Sequence, residues 1–432
     1  MSRPRTYLLA GGTVIDPAND RNGAFDVLVR DGRVAAVESP GSIEAEAERI
    51  DVTGCWVTPG LIDMHVHLRE PGYEYKETVA TGTLAAVVGG FTAVACMANT
   101  KPVNDSAAVT EYIIERALAA GLARVHPIGA LSVNLAGREL AEIGEMRDAG
   151  IVAVSDDGMP VADGNLMRRA LEYTRLFDIP VIVHEEDPQL AGDGVMHEGG
   201  TCLHLGLKGM PSAAEEAMVA RDLALLEQTG GRLHIAHIST AGSIRLLRAA
   251  KERGLPVTAE VTPHHFALTD EAVRDYDTNA KMKPPLRPQS DVDVVIDALR
   301  DGTIDAIATD HAPHHRDEKD VEFDAAAFGI VGLETALPLA LRLVRERDVD
   351  PVTLIRAMSV NPARILGLEA GSLAVGMPAD ITVIDPQRAW TVELDELHSK
   401  SKNSPFGGWP MVGGARLTMV GGRILWPRGN EE

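Results

Sequence analysis

The central part of the chain alternates short apolar runs with longer windows of helical spacing. This alternation is typical of βα units that build a parallel sheet. Eight such units are what a TIM-type (β/α)8 barrel requires, so the pattern predicts that fold in the α/β class. One helical window opens with Ser212 and Glu215, which predicts a capping box. The eight runs are Leu61–Met64, Phe91–Ala95, Val125–Leu131, Ile151–Val154, Pro180–Val183, Leu233–Ile238, Pro256–Val261 and Ile304–Ala308.

A doubly wound open sheet is the alternative fold for such a pattern. That fold usually carries a glycine-rich phosphate-binding loop after its first strand. In this chain the first run is followed by His65-Val66-His67 instead. The absence of the glycine-rich loop at this point favours the barrel.

The two ends of the chain share a different pattern, in which short β-rich runs are separated by glycine turns. Tight hairpins are predicted at Asp31-Gly32 and Gly421-Gly422. Because the two distant ends share this pattern, we expect both termini to build one small β-sandwich domain, residues 1–57 plus 368–432. The barrel is expected at 58–367. The runs are Tyr7–Asp16, Ala24–Val37, Ser372–Asp385 and Arg416–Trp426.

The net charge of the chain is strongly negative. Its 432 residues include 41 Lys and Arg against 63 Asp and Glu, which gives −22 at pH 7. That is the wrong sign for binding nucleic acid or an anionic membrane, so neither is an expected partner. A small anionic substrate stays compatible, because a metal ion or a few arginines can reverse the sign inside a cleft.

The cysteines and the N-terminus predict a cytoplasmic protein. Cys55, Cys96 and Cys202 are odd in number and far apart, without the spacing of a disulfide framework. The first apolar run at the N-terminus is too short for a signal peptide. No stretch of the chain approaches the roughly 18 apolar residues of a membrane helix.

Residues that can bind a metal ion follow five of the predicted strands. His65 and His67 come after the first run, at a spacing that puts both side chains on one side of an extended strand. The carboxyl ends of barrel strands open into one mouth, so all these side chains are expected to lie together. The others are Asp156 or Asp157 after the fourth run, His184 after the fifth, His237 in the sixth and Asp310 after the eighth.

Each of these residues alone has a structural explanation, such as a helix cap or a turn, and only their joint placement favours a metal site. Four histidines and two aspartates exceed the donors that one zinc ion needs. A pair of ions about 3.5–4 Å apart, holding an activated water, would use them all. The predicted chemistry is metal-assisted hydrolysis of an amide or ester.

Motifs along nearly the whole chain match a known family. The chain resembles the zinc-dependent amidohydrolases and, within them, the dihydroorotases of class I. HxH alone would indicate only the superfamily, whereas the motifs together are specific. They are PGLIDMHVHLREPG (59–72), MANTKP (97–102), SDDG (155–158), VIVHEED (181–187), HIAHIST (234–240), KMKPPLR (281–287), ATDHAPH (308–314) and GMPADITVID (376–385).

The resemblance implies two Zn²⁺ ions per chain. One would be held by His65, His67 and Asp310, and the other by His184 and His237, with Asp157 and a hydroxide bridging the two. Similar hydantoinases and allantoinases bridge their ions with a carbamylated lysine. This chain has no lysine between Lys101 and Lys208, and that absence favours the aspartate bridge.

The implied activity is the reversible cyclisation of N-carbamoyl-L-aspartate to L-dihydroorotate, a step of pyrimidine biosynthesis. In the hydrolytic direction Asp310 would take a proton from the attacking water and pass it to the leaving nitrogen. The substrate carboxylate would meet Arg69, Asn99 and His314, since guanidinium, amide and imidazole donors fit a planar anion.

Further substrate contacts are implied at His67 and at the backbone of Phe328-Gly329. Lys283 is a departure from the family pattern, because it stands in KMKPPLR where many relatives have a substrate-binding asparagine. Lys283 itself could face the anionic substrate, or the nearby Asn279 could substitute for the missing asparagine.

Two other functions stay open. One is hydrolysis of another cyclic amide, as in hydantoinases or allantoinases, although a substrate without a carboxylate would leave Arg69 unpaired. The other is a non-catalytic partner of aspartate transcarbamoylase, although such relatives are expected to lack metal ligands and all six positions here carry one. The resemblance also implies a homodimer and a possible complex with that transcarbamoylase.

Overall fold

The computed structural model describes residues 6–427 of the chain. No helix in this range is both long and apolar enough to cross a membrane. The strands are β1 (Tyr7–Ala10), β2 (Thr13–Asp16), β3 (Arg21–Ala24), β4 (Asp26–Arg30), β5 (Arg33–Glu38), β6 (Glu48–Asp51), β7 (Trp56–Pro59), β8 (Leu61–Val66), β9 (Phe91–Cys96), β10 (Arg124–Gly129), β11 (Ala153–Ser155), β12 (Val181–Val183), β13 (Met196–His197), β14 (Gly209–Met210), β15 (Leu233–Ile235), β16 (Val257–Val261), β17 (Ala306–Ile307), β18 (Ile381–Thr391), β19 (Pro410–Val420) and β20 (Arg423–Trp426).

The α-helices lie mainly between the central strands, as the alternating pattern predicts. They are α1 (Val79–Gly89), α2 (Ala107–Ala120), α3 (Ile143–Ala149), α4 (Gly164–Thr174), α5 (Pro188–Ala191), α6 (Gly200–Leu205), α7 (Ala213–Thr229), α8 (Ala241–Glu252), α9 (Pro263–Ala267), α10 (Gln289–Arg300), α11 (Arg316–Lys319), α12 (Ala336–Glu346), α13 (Pro351–Ile355) and α14 (Asn361–Leu366).

Eight parallel strands form one sheet in the order β8-β9-β10-β11-β12-β15-β16-β17. Each of them overlaps one of the eight predicted apolar runs, so the predicted barrel is confirmed. The two edge strands meet just beyond the end of β17. There the His67 N–H donates to the His311 carbonyl at 2.9 Å, and Val66 pairs with His311 in a parallel bridge.

The ends of the chain form two further sheets: β5-β4-β1-β6, from the N-terminal end alone, and β20-β19-β18-β7-β2-β3, from both ends. Apolar side chains from both sheets pack in one buried cluster, which includes Leu9, Val27, Val57, Ile381 and Leu417. Two sheets with a shared apolar core are a β-sandwich, so this part of the fold prediction is also confirmed. The domain bounds themselves, 1–57 plus 368–432 and 58–367, stay a prediction.

The two hairpins in these sheets lie where the sequence predicts them. Asp31-Gly32 joins β4 to β5, and Gly421-Gly422 joins β19 to β20. All four residues have positive φ, between 53° and 76°. Glycine adopts this conformation without a Cβ clash, which is why these dipeptides mark tight hairpins.

Side chains on the barrel strands alternate between the interior and the surrounding helices, with the period of two that extended chains have. On β12, Ile182 lies in an inner cluster. On β16, Ala259 and Val261 pack in the outer cluster. Glu260 between them is therefore turned toward the interior, where its side chain is fully buried.

The predicted capping box at the start of α7 is wrong. Ser212 precedes the helix but makes no side-chain cap. Glu215 is buried and accepts hydrogen bonds from the Ser239 and Thr240 N–H groups, both at 3.1 Å, and it pairs with Arg287 at 3.3 Å. Glu215 thus stabilises the loop after β15, because those buried donors compete for its carboxylate.

Candidate active site

Six buried histidines and aspartates converge at the carboxyl ends of the barrel strands. None is more than 6% exposed. Parallel strands end at the same face of the barrel, which is why residues up to 245 positions apart meet there. The six are His65 in β8, His67 after it, Asp157 after β11, His184 after β12, His237 after β15 and Asp310 after β17.

Asp157 lies at the centre of this cluster. Its Oδ1 is 3.4 Å from His65 Nε2, 3.4 Å from His237 Nε2 and 3.8 Å from His184 Nδ1. Its Oδ2 is 3.4 Å from His67 Nε2. One carboxylate therefore contacts His65 and His67 as well as His184 and His237, which is the geometry that a ligand bridging two ions needs.

The neighbouring Asp156 has a different environment. Its carboxylate accepts hydrogen bonds from the Leu131 and Ser132 N–H groups, both at 2.9 Å, and from the Ser132 hydroxyl. These bonds hold the loop after β10. The structure thus distinguishes the two aspartates that the SDDG motif leaves open.

Asp310 approaches the cluster from the last strand. Its Oδ1 is 2.9 Å from His67 Nε2 and 3.4 Å from His65 Nε2. Asp310 and His237 both have positive φ, 47° and 32°, which is costly for residues with a Cβ and is concentrated at functional sites.

The donor set fits a divalent cation. Three groups of three residues share members, and within each group the ligand atoms lie within 4.8 Å of one another. The groups are His65, His67 and Asp157; Asp157, His184 and His237; and His65, His237 and Asp310. Among the described residues, His65 Nε2 and Asp157 Oδ1 have no hydrogen-bond partner although both are buried. Buried lone pairs of this kind are costly unless a proton or a metal ion satisfies them.

The electrostatics of the cluster favour the ligand forms of Asp157 and His184, whereas the nearby carboxylates outweigh burial and raise the pKa of His65 and that of His237. Burial opposes a charge on Asp157, but the imidazoles of His65 and His237 hold its pKa well below the usual range. Burial and the neighbouring His237 lower the pKa of His184 to about 4. An ionised carboxylate beside a neutral imidazole is what zinc binds in proteins.

Glu260 is a functional candidate that the sequence analysis missed. Its Oε1 is 2.6 Å from His65 Nδ1, and its Oε2 is 3.1 Å from His234 Nε2. A carboxylate in this position fixes the orientation of an imidazole ligand from behind. Its sign in the sequence is a charged residue within the mainly apolar run that forms β16.

Arg69 and His314 lie side by side next to the cluster. Arg69 follows His67 by two residues, is 9% exposed and has φ of 62°. Its Nη2 is 3.5 Å from His314 Nε2, and its Nε donates to the Pro313 carbonyl at 3.2 Å. Burial, together with the charges of Arg69 and Lys76, lowers the pKa of His314 to about 2, so this imidazole is neutral.

Asn99 forms a hydrogen bond with the histidine cluster and lies near the aspartate turn. Its Oδ1 accepts a hydrogen bond from His67 Nδ1 at 2.8 Å. Its Nδ2 faces Gly158, where a Cβ would come within 4.0 Å. Asn99 thus orients His67 with its oxygen, and its nitrogen is the group that could donate to a substrate.

Phe328 and Gly329 lie at the same edge of the site. A Cβ on Gly329 would come within 2.7 Å of His314 Cδ2, and its φ is 150°, so glycine is required here. The Gly329 N–H donates to the Lys281 carbonyl at 3.0 Å. Its carbonyl accepts hydrogen bonds from Lys319 Nζ at 3.1 Å and from Asn403 Nδ2 at 3.0 Å. The Gly329 backbone is therefore engaged within the protein.

Lys283 lies on the side of the cluster that contains His184. Its Nζ is 2.8 Å from Glu186 Oε1 and 5.1 Å from the centre of the Phe328 ring. Asn279, the alternative, lines a cleft together with His314. Both residues lie beside the predicted substrate site.

Comparison with known proteins gives a consistent picture. A family described as "Dihydro-orotase-like" matches residues 54–243, and one described as "Amidohydrolase family" matches residues 189–426. A dihydroorotase of Anaeromyxobacter dehalogenans is 59% identical over 96% of this chain and 97% of its own. One from Geotalea daltonii is 57% identical over 97% and 99%.

Solved structures with the same fold include two hydantoinases. L-hydantoinase (dihydropyrimidinase) from Arthrobacter aurescens has a TM-score of 0.87 and 25% identity, covering 97% of this chain and 95% of its own. D-hydantoinase (dihydropyrimidinase) from Thermus sp. has a TM-score of 0.81 and 26% identity, covering 97% and 94%.

Proposed function

Because the chain belongs to the dihydroorotase family of amidohydrolases, we propose that it catalyses the reversible cyclisation of N-carbamoyl-L-aspartate to L-dihydroorotate. One observation carries this proposal. A six-residue cluster fit for metal ions lies directly beside Arg69, a buried guanidinium that pairs with no carboxylate among the described residues. A substrate that is both a cyclic amide and a carboxylate matches both features.

We propose that the cluster holds two Zn²⁺ ions. His65, His67 and Asp310 would hold one, His184 and His237 the other, and Asp157 would bridge them. Support comes from the two-sided contacts of Asp157 and from the unpartnered nitrogen of His65. Zinc at this position would lower the pKa of a water molecule and polarise the amide carbonyl.

Asp310 is the residue that we propose moves the proton. In the hydrolytic direction it accepts a proton from the attacking water and then protonates the leaving ring nitrogen; in cyclisation the order is reversed. The position of one Asp310 oxygen near Nε2 of both His67 and His65 supports this role, because it directs that oxygen to the proposed metal site and leaves the other to exchange protons.

The side chains beside the cluster would orient the substrate. Arg69 and the Nδ2 of Asn99 would donate to the substrate carboxylate, and neutral His314 would add a hydrogen bond. His67, Phe328 and Gly329 would line the pocket, and Lys283 would add positive charge at its edge. The 3.5 Å approach of Arg69 Nη2 to His314 Nε2 supports a single substrate carboxylate that contacts both side chains.

Glu260→Gln is expected to weaken metal binding. An amide can still accept from His65 Nδ1, but it loses the negative charge that raises the basicity of that imidazole, so zinc affinity should fall about 10–100-fold. Titrating the apoenzyme with zinc against a competing chelator measures this. Glu271→Gln, an exposed glutamate far from the cluster, is the control, and equal affinities of the two variants would contradict the role.

The proposed function is tested by turnover and metal content on the same preparation. Zinc-saturated protein should hydrolyse dihydroorotate and cyclise N-carbamoyl-L-aspartate, and it should contain about two zinc ions per chain. Turnover of hydantoin alone would move the assignment to a hydantoinase. Well under one zinc per chain, without turnover, would favour a non-catalytic partner of aspartate transcarbamoylase.

The remaining proposals concern partners and location. The family resemblance supports a homodimer and a possible complex with aspartate transcarbamoylase. Three buried cysteines without a disulfide support a cytoplasmic location, where thiols stay reduced.

A further inference from the structure

A single side chain from outside the barrel joins the two loops that form one edge of the proposed substrate site. Asn403 lies in the segment between β18 and β19 and is 5% exposed. Its Oδ1 accepts from the His314 N–H at 3.0 Å. Its Nδ2 donates to the carbonyls of Ala312 and Gly329, both at 3.0 Å.

These contacts use both donors of the Asn403 amide group and one lone pair of its oxygen. The partners are one N–H and two carbonyls, so only one orientation of the Asn403 amide satisfies all three. The backbone carbonyl of Asn403 also accepts a hydrogen bond from the Val331 N–H at 3.0 Å. A buried amide with three such bonds holds the backbone segments that it joins in one arrangement.

The two loops carry groups that face each other across a short distance. The Gly329 Cα lies against the His314 ring, as the 2.7 Å approach of a Cβ there indicates. The His314 ring in turn lies 3.5 Å from the Arg69 guanidinium. A shift of either loop would therefore move the imidazole relative to the arginine.

Lys319 strengthens the same connection from the opposite side. It is 5% exposed, and its Nζ donates to the carbonyls of Ala327 and Gly329 at 2.7 and 3.1 Å. The Gly329 carbonyl accepts from both Lys319 and Asn403, so both its lone pairs are used. It positions the loop and is not available to a substrate.

We propose that Asn403 is a positioning residue for substrate binding, whose side chain sets the distance between the loop of His314 and the loop of Gly329. This inference rests on the proposed function, because it takes His314 to contact the substrate carboxylate. Asn403 itself touches neither the metal cluster nor the reacting atoms.

The test compares two isosteric substitutions. Asn403→Asp keeps the bond from the His314 N–H, but it loses both donations and sets a negative charge against two carbonyls. Asn361→Asp is the matched control, because Asn361 also donates to a backbone carbonyl, that of Asp305 at 2.7 Å, before the start of β17 and so at the opposite end of the barrel. Asn403→Ala provides a second variant if the aspartate destabilises the fold.

We expect Asn403→Asp to raise the KM for dihydroorotate about tenfold, with little change in kcat or zinc content. Asn361→Asp should lower Tm and leave KM unchanged. In a His314→Ala background Asn403→Asp should add little, since the two residues act through one contact. An unchanged KM in both Asn403 variants, with an active parent enzyme, would overturn the inference and leave the proposed function intact.

Hydrogen exchange gives a readout that does not depend on turnover. The amides of His314 and Gly329 should exchange faster in Asn403→Asp than in the parent or in Asn361→Asp. If the parent enzyme does not turn over dihydroorotate, the proposed function fails and with it the substrate role of Asn403. If the parent is active, unchanged exchange at both amides would show that Asn403 does not hold the loops.

Discussion

Replacing Asp310 with alanine should abolish turnover in both directions while the fold is retained. The carboxylate has two proposed tasks, as a metal ligand and as the group that moves the proton between water and the ring nitrogen. Loss of general acid-base catalysis alone costs about 10²–10⁴-fold, and the lost ligand adds to this. We expect kcat to fall at least about 10³-fold for both dihydroorotate hydrolysis and the reverse cyclisation.

The matched control for this prediction is Asp380→Ala. Asp380 is also a buried aspartate, 6% exposed, but it pairs with Arg124 at 2.8 Å at the opposite end of the barrel. Asp380→Ala should lower the melting temperature and keep kcat. Thermal unfolding and zinc content would be measured on both variants. Substantial turnover by a folded, zinc-loaded Asp310→Ala enzyme would remove the proton-transfer role.

Arg69→Met should mainly impair binding of the carboxylated substrate. Methionine fills most of the space of the arginine stem but removes the guanidinium beside His314. A hydrogen bond to a charged group contributes about 1.5–3 kcal/mol, so kcat/KM for dihydroorotate should fall about 10–100-fold, mostly through KM. Steady-state kinetics over a range of dihydroorotate concentrations measures this.

Arg124→Met is the control, because Arg124 forms its ion pair with Asp380 at the far end of the barrel. Its KM for dihydroorotate should match that of the parent enzyme. An unchanged KM in Arg69→Met would mean that the guanidinium does not meet the substrate. A loss of zinc from Arg69→Met would assign the arginine to the metal cluster instead.

The strands and the metal cluster were predictable because their signals are local. A barrel strand is a short apolar run, and a residue at its carboxyl end faces the mouth whatever the rest of the chain does. His65 and His184 each follow such a run directly, and Asp310 follows one after a single residue, so locating the strand end also located the candidate ligand. The hairpin at Asp31-Gly32 was predictable for the same reason, since its positive φ values depend on two adjacent residues.

Other features of the site depend on contacts between distant parts of the chain. Glu260 supports His65 across 195 positions, and Asn403 reaches His314 across 89. Glu215 was misread as a helix cap because its true partners, Ser239 and Arg287, lie beyond its own helix. Glu260 is marked locally as a glutamate in a mainly apolar run, but no local pattern identifies the distant partners of these residues.

The sequence by itself determined the fold class and the family, and it predicted which strand ends carry candidate metal ligands, since those candidates lie at a short distance in sequence from a strand end. Only the tertiary structure decided which aspartate of the SDDG turn faces the cluster, which glutamate lies behind His65 and which asparagine joins the two substrate loops. The physical reason is that a hydrogen bond is set by a distance of about 3 Å in space. That distance is reached only after the barrel has closed and the segment between β18 and β19 has packed onto it.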